Sequence, residues 1–211
     1  MELTTAVIQR ALSLPNFDAH AAHYHMLPTD RSRQRPPELS GHPRVGGVLL
    51  LLYPHLQNTY LALTRRRDDL NAHAGQISFP GGRQESGETA VQAALRETEE
   101  EIGVPSRKVT VLGELTSIYI PPSDFEVHPF VGWVNGGERP FFTPEAREVA
   151  EILEVPITHL LDPNTREVGP HPVRDAVYTV PYYNVYGHRV WGATAIILSE
   201  FLERLRLVPA E

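Results

Sequence analysis

The chain contains no cysteine, which excludes disulfides, thiolate metal sites and a cysteine nucleophile. It is nearly without lysine: Lys108 is the only one, and every other fixed cation is arginine. Arginine grips phosphate through a bidentate fork, which suits a phosphorylated ligand, although base composition of the gene is the plainer explanation of such a bias. The chain also lacks long apolar runs. The longest, Val45 to Tyr53, is far short of the roughly 18 residues of a membrane span. Met1 to Pro15 mixes polar and apolar residues without a signal-peptide-like stretch, so the expectation is a soluble, cytoplasmic protein. A net charge of −7 argues against general nucleic-acid binding.

What is present is enough for one well-filled core: 211 residues, 41% of them apolar. Met1 to Leu14 reads as a short helix and Pro15 to Pro37 as irregular, so residues 1–40 form an amino-terminal extension packed on a main domain, 41–211. Val45 to Tyr53 reads as a buried strand, with Thr59 to Thr64 as its hairpin partner after a turn near Gln57-Asn58. Gln76 to Phe79 is a short strand entering Pro80-Gly81-Gly82, and Thr89 to Ile102 is a helix. Further strands are expected at Val109 to Ile120, Glu126 to Val134 and Val149 to Pro156. A hairpin follows around Tyr186-Gly187, then a closing helix from Ala193 to Leu205. Strands on both sides of a central helix, with a second helix late in the chain, give an α/β sandwich.

The chemistry concentrates between Gly82 and Gly103. A helix turns roughly 100° per residue, so Glu97, Glu100 and Glu101 share an arc of about 100°. Val91, Leu95, Thr98 and Ile102 fall on another face as a core stripe, while Ala90, Ala93 and Ala94 lie on the carboxylate side, where small residues leave room for a ligand. Three clustered carboxylates repel one another and call for a cation. An all-oxygen set suits a hard divalent ion such as Mg2+, with Mn2+ as an alternative. A solvated acidic helix face is the plain alternative, but Gly81 and Gly82 let backbone approach a ligand, and Glu88 and Arg96 stand at set distances, Arg96 able to orient a carboxylate.

This arrangement resembles the Nudix box, Gly-x5-Glu-x7-Arg-Glu-U-x-Glu-Glu-x-Gly-U, where U is a bulky aliphatic residue. Gly82, Glu88, Arg96, Glu97, Glu100, Glu101, Gly103 and Val104 match; Thr98 stands where an aliphatic residue is usual. The resemblance implies a Nudix fold, an α/β/α sandwich with a mixed sheet. It also implies a metal-dependent pyrophosphohydrolase with Glu97, Glu100, Glu101 and the Gly82 carbonyl as metal ligands, and Glu88 and Arg96 in support. Upstream, Leu63 to Arg66 and His73 to Gly82 resemble the coenzyme A pyrophosphatase branch, with Thr64, Arg66, Gly75, Phe79, Pro80, Gly81 and Gly82 matching. Arg67 stands where Ser or Ala is usual, and Asn71 where a second arginine is usual. Trp191 to Ala195 resembles the start of that branch's last helix.

The implied reaction is hydrolysis of coenzyme A, or an acyl derivative, to 3′,5′-ADP and 4′-phosphopantetheine. Arg66, His73, Gln76, Ser78 and Gly81 are the implied substrate contacts, with Arg66 first choice for the 3′-phosphate. A catalytic base from outside the box is expected at Glu148, with Glu151 second. Another diphosphate substrate, such as ADP-ribose or a dinucleotide, and a non-catalytic binding module of the same fold both stay open. Expected partners are a small-molecule nucleotide and a second copy of the chain as a homodimer, with neither nucleic acid nor membrane. His20, His23 and His25 lie within six residues, but no further ligand follows at helical spacing, so a packing or surface role is expected.

Overall fold

A computed structural model describes residues 3–27, 42–69, 74–173 and 176–208. The elements run α1 (Thr5–Leu12), α2 (Ala19–Tyr24), β1 (Arg44–His55), β2 (Asn58–Arg66), β3 (Ile77–Ser78), β4 (Gly81–Arg83), α3 (Ala90–Ile102), β5 (Val109–Glu114), β6 (Ile118–Ile120), β7 (Phe125–Val134), β8 (Val149–Pro156), α4 (Ile157–Leu161), β9 (Arg166–Val173), β10 (Ala176–Val185), β11 (His188–Trp191) and α5 (Gly192–Leu207).

β1 is the axis. One edge pairs in parallel with β7 from Arg44 to Leu52. Its other edge is shared: the carboxyl-terminal half pairs with β2 and the amino-terminal half with β4. β2 divides in the same way, pairing with β1 and then β3 on one edge and with β8 on the other. The Ile77–Arg83 segment is therefore wedged where β1 and β2 diverge. β5 and β6 continue the sheet beyond β7, and β9, β10 and β11 form a separate three-stranded sheet.

The unbroken apolar run in β1 is explained by burial on both faces: Leu49 through Tyr53 are all 0% exposed. Leu49, Leu51 and Tyr53 pack with Ala94, Ile102 and Phe130 under α3. Leu50 and Leu52 pack on the opposite face with Ile8 of α1 and with Leu198 and Phe201 of α5. The sandwich and mixed sheet expected from sequence are those observed. Among the described residues no helix is long and apolar enough to cross a membrane.

Several expectations need correction. The hairpin loop is Leu56-Gln57, because His55 pairs with Asn58; both loop residues take positive φ, which matches the twist of a two-residue hairpin. Val109 to Ile120 is two strands, not one. Pro129 in β7 has no N–H to give, and across the gap Leu115 donates to the Pro129 carbonyl at 2.9 Å while Thr116 turns its N–H to the Glu200 carboxylate. The supposed irregular stretch contains α2, capped by Asp18. β9 is missing from the sequence reading because Gly169, Pro170 and Pro172 look like loop; it is an edge strand, where proline is tolerated.

The alanines of α3 also serve a different purpose from the one expected. Ala93 and Ala94 are fully buried, and a Cβ on Gly47 would overlap the Ala90 carbonyl oxygen and crowd Ala94. Small residues here bring helix and strand together rather than making room for ligand. Thr89 caps α3 in a reciprocal pair with Gln92, and Gly103, at φ 74°, ends it in the left-handed region. Gly47→Ala should therefore push α3 off the sheet, costing about 2–3 kcal/mol and lowering Tm by roughly 5–10 °C. A thermal melt within 1–2 °C of wild type, roughly the noise of such a scan, would contradict this packing.

Candidate active site

β4, the loop before α3 and the carboxyl-terminal half of that helix assemble the cluster. Gly82 lies against Glu97 so closely that any Cβ there would meet the Glu97 carboxyl group. Arg96 is the hub. Its Nε and Nη2 donate to both oxygens of Glu88 at 3.0 and 3.1 Å. Its Nη1 donates to Glu97 at 2.9 Å and to Glu100 at 3.1 Å, and Nη2 also reaches the Arg83 carbonyl. These bonds hold Glu88 below the usual carboxylate range, chiefly through Arg96.

Glu97 and Glu101 are shifted the other way. Burial raises Glu97, with Arg96 opposing and Glu100 and Glu148 adding to the rise. Burial pushes Glu101 up to about 8, reinforced by the charges of Glu97 and Glu148 and partly offset by the Gly81 backbone and Arg66. Glu101 Oε2 is buried with no hydrogen-bond partner. A buried, unpaired acceptor facing other carboxylates is the local environment a cation relieves. The donor set is all oxygen, as a hard divalent ion requires. Glu97, Glu101, the more exposed Glu100 and the Gly82 carbonyl are thus the groups that could hold one. They are neighbours rather than a finished shell: among the described residues no three acidic or imidazole groups stand at metal-ligand spacing, and Arg96 Nη1 lies between Glu97 and Glu100.

The two candidate bases separate. Glu148 lies on the cluster side, felt electrostatically by Glu97 and Glu101, with Arg66 Nη1 at 3.3 Å. Glu151 sits opposite Arg65 on the alternate face of the sheet, 3.4 Å from Arg65 Nε and 3.6 Å from His188. Ser78 bonds Thr64 across β2 and β3, and the Gln76 carbonyl accepts from the Arg66 amide at 3.0 Å. Arg67 is paired with Asp69 and the Ala146 carbonyl. His73 and Asn71 lie outside the described residues. His23 is buried, bonded to Glu200 at 2.8 Å rather than grouped with His20 and His25.

A cavity of about 440 Å3 opens beyond the Gln76 end of β3, walled by the three-stranded sheet. Its His171, His188 and Arg189 were not singled out from sequence. Nothing in their spacing marks them, because two strands of a sheet not foreseen in full bring them together.

The NUDIX domain model matches residues 42–175. The chain is 35% identical over 173 residues to a Nudix hydrolase NudL of Photorhabdus laumondii, covering 82% of this chain and 90% of that one. It is 36% identical over 177 residues to the NudL of Pectobacterium atrosepticum, covering 79% and 86%. It is 34% identical over 160 residues to Nudix hydrolase 3 of Caenorhabditis elegans, covering 68% and 65%. Among solved structures, the Nudix hydrolase RenU of M. smegmatis shares the fold at a TM-score of 0.54 and 20% identity, over 81% of this chain and 89% of that one.

The Glu101 environment yields a test. Its pKa is raised in the folded chain, so in chelator its contribution to stability is full below the ordinary carboxylate value and lost as pH rises through about 8. Glu101→Gln should therefore gain Tm over wild type as pH rises from 5 to 9 in chelator, and should lose most of the Tm increase that Mg2+ gives wild type. Parallel Tm–pH curves with equal Mg2+ responses in both proteins contradict this.

Proposed function

We propose, from the premise that the chain belongs to the Nudix family and is a hydrolase of diphosphate linkages, that its substrate is coenzyme A or an acyl derivative. The products are then 3′,5′-ADP and 4′-phosphopantetheine. One contact carries this reading. The stretches that resemble the coenzyme A branch, Leu63 to Arg66 with His73 to Gly82 and, much later, Trp191 to Ala195, lie far apart in sequence, yet the Thr194 hydroxyl donates to the Ile77 carbonyl at 3.0 Å in a buried position. Ile77 and Thr194 thus bring the described parts of these stretches together.

Nudix hydrolases generally use a divalent ion such as Mg2+. We assign Glu97, Glu100, Glu101 and the Gly82 carbonyl to hold it, with Mn2+ as an alternative ion. Once bound, such an ion neutralises phosphate charge and acidifies water. The remaining work belongs to the chain. Arg96 fixes Glu97 and Glu100 against their mutual repulsion while Glu88 anchors Arg96 from behind. Arg66 turns the Glu148 carboxylate toward the cluster. Glu148 accepts the proton of the attacking water as its oxygen bonds to phosphorus and the bridging P–O bond breaks, the bridging oxygen leaving with the other phosphate. A binding module has no use for three carboxylates kept together at this electrostatic cost, which favours the catalytic reading.

The deciding experiment is hydrolysis of a nucleotide panel in Mg2+. Coenzyme A should be cleaved with the highest kcat/KM, and 3′-dephospho-coenzyme A about tenfold to a hundredfold less efficiently, the worth of one charge-assisted contact. Glu100→Gln and Glu101→Gln should each lose roughly a hundredfold or more in kcat while staying folded. A clear preference for ADP-ribose or a dinucleotide overturns the substrate and leaves the hydrolase. Unchanged turnover in both variants overturns the residue assignment.

A further inference from the structure

The cavity beyond β3 is lined by Gln76, Ile77, His171, His188, Arg189 and Trp191, among others. At about 440 Å3 it falls within the roughly 300–1,000 Å3 of small-molecule sites. Its lining has two kinds of surface. One is flat and aromatic: the Trp191 indole, with the His171 ring 3.9 Å away and tilted by 41°. The other is polar and cationic, from Arg189, His188 and the edge of β3. Among the described residues no carboxylate lines the cavity, although the chain as a whole carries a net charge of −7. Glu151, which approaches His188, is shared with Arg65.

The cavity is linked to the carboxylate site through the short segment around β3. Its Gln76 wall is bonded through the backbone to Arg66, and the Arg66 guanidinium faces Glu148. From Gln76 to Gly81 an extended chain spans no more than about 17 Å. A substrate whose diphosphate lies at the cluster can therefore place one end here. Resting on the diphosphate-hydrolase reading above, we propose that this cavity binds the phosphorylated nucleoside end of the substrate. Its base stacks on Trp191 and its ribose phosphate meets His188 and Arg189.

The chemistry selects this end of the molecule. A planar base needs a π-surface and edge donors, and a phosphate needs cations; both are present. The other end of coenzyme A is a flexible chain of methylenes and amides, which gains nothing from a guanidinium and two imidazoles. Nor are the strand arginines better placed for the ribose phosphate: Arg66 is turned to Glu148, and Arg67 to Asp69 and Ala146. The ribose-phosphate contact thus falls to the second sheet rather than to Arg66.

The chain has two tryptophans, Trp133 and Trp191, so Trp133→Phe leaves Trp191 as the sole indole reporter. In that background adenosine 3′,5′-bisphosphate should quench fluorescence saturably, and 4′-phosphopantetheine should not. Adding His188→Ala or Arg189→Ala should weaken the bisphosphate about tenfold or more while AMP changes less than about threefold, since only the bisphosphate carries the second phosphate. In turnover these variants should raise KM with kcat held within about threefold, a loss of binding common to ground and transition states. Arg189 also donates to the Pro170 carbonyl and stacks on Tyr182, so if Arg189→Ala fails to fold, His188→Ala decides alone. Unchanged bisphosphate affinity in a folded His188→Ala, or quenching by 4′-phosphopantetheine instead, overturns the proposal. Coenzyme A cleavage with Trp191 silent to the bisphosphate overturns the cavity alone. Tight bisphosphate binding in an enzyme inert toward coenzyme A supports the cavity and overturns only the substrate.

Discussion

Crowding four carboxylates just before one helix and along its carboxyl-terminal half works against the fold, and the arrangement persists because a single guanidinium is bonded to three of them. Arg96 ties Glu88, Glu97 and Glu100 with fork-like geometry and also takes the Arg83 carbonyl, so the loop before α3 and the helix itself are clamped by one side chain. The fourth, Glu101, is left out. It is buried, its Oε2 is unpaired, and it faces Glu97 and Glu148. The repulsion that Arg96 does not cancel is thereby gathered at one point beside Gly82. An arrangement that neutralised all four would be more stable on its own and would have no appetite for a cation.

Keeping that point rigid is the task of the sheet. Gly46, Gly47 and Gly82 stand where α3, β1 and β4 come together, and a Cβ at any of them collides with backbone or with the Glu97 carboxyl. Helix and strand meet at backbone distance, so the carboxylates inherit the rigidity of a sheet buried on both faces. The opposite face is closed by a different device. Glu200, 0% exposed, bonds His23 of α2, Arg204 one turn along α5, and the Thr116 amide and hydroxyl in the gap between β5 and β6. Arg204 also caps the Ala11 and Leu12 carbonyls at the end of α1 and lies over Phe17. Burial favours the neutral acid at Glu200, yet the His23 and Arg204 bonds outweigh it and hold its pKa below the ordinary value. The amino-terminal segment is thus part of the core through three buried polar groups that satisfy one another.

How far all this could be read from sequence follows from the range of the interactions. The box was legible because its residues act within one loop and one helix, where spacing is geometry: Glu97, Glu100 and Glu101 fall on one arc whatever the rest of the chain does. The strands β1, β2, β7 and β8 were legible from apolar runs for a similar reason. The break in the Val109–Ile120 strand depends on a proline across the sheet and a carboxylate more than eighty residues away, and neither leaves a local mark. His23 looked like one of a histidine cluster because its partner lies 177 positions along the chain. The alanines of α3 were assigned to the right helix but the wrong purpose, since helical arithmetic gives a direction and not what lies in it.

The same distinction separates the two halves of the proposed substrate site. Chemistry that any diphosphate requires is encoded in a contiguous motif of one loop and one helix, where a change of one residue alters charge and geometry together. Recognition of what flanks the diphosphate then falls to side chains on β9 and β11, which meet the wall of the site at the short strand β3. Strands of a small, partly exposed sheet can change their side chains without disturbing the sandwich, because outward positions on an edge carry little of the core. A fold divided in this way can keep one hydrolytic centre while the second sheet sets which nucleoside it accepts.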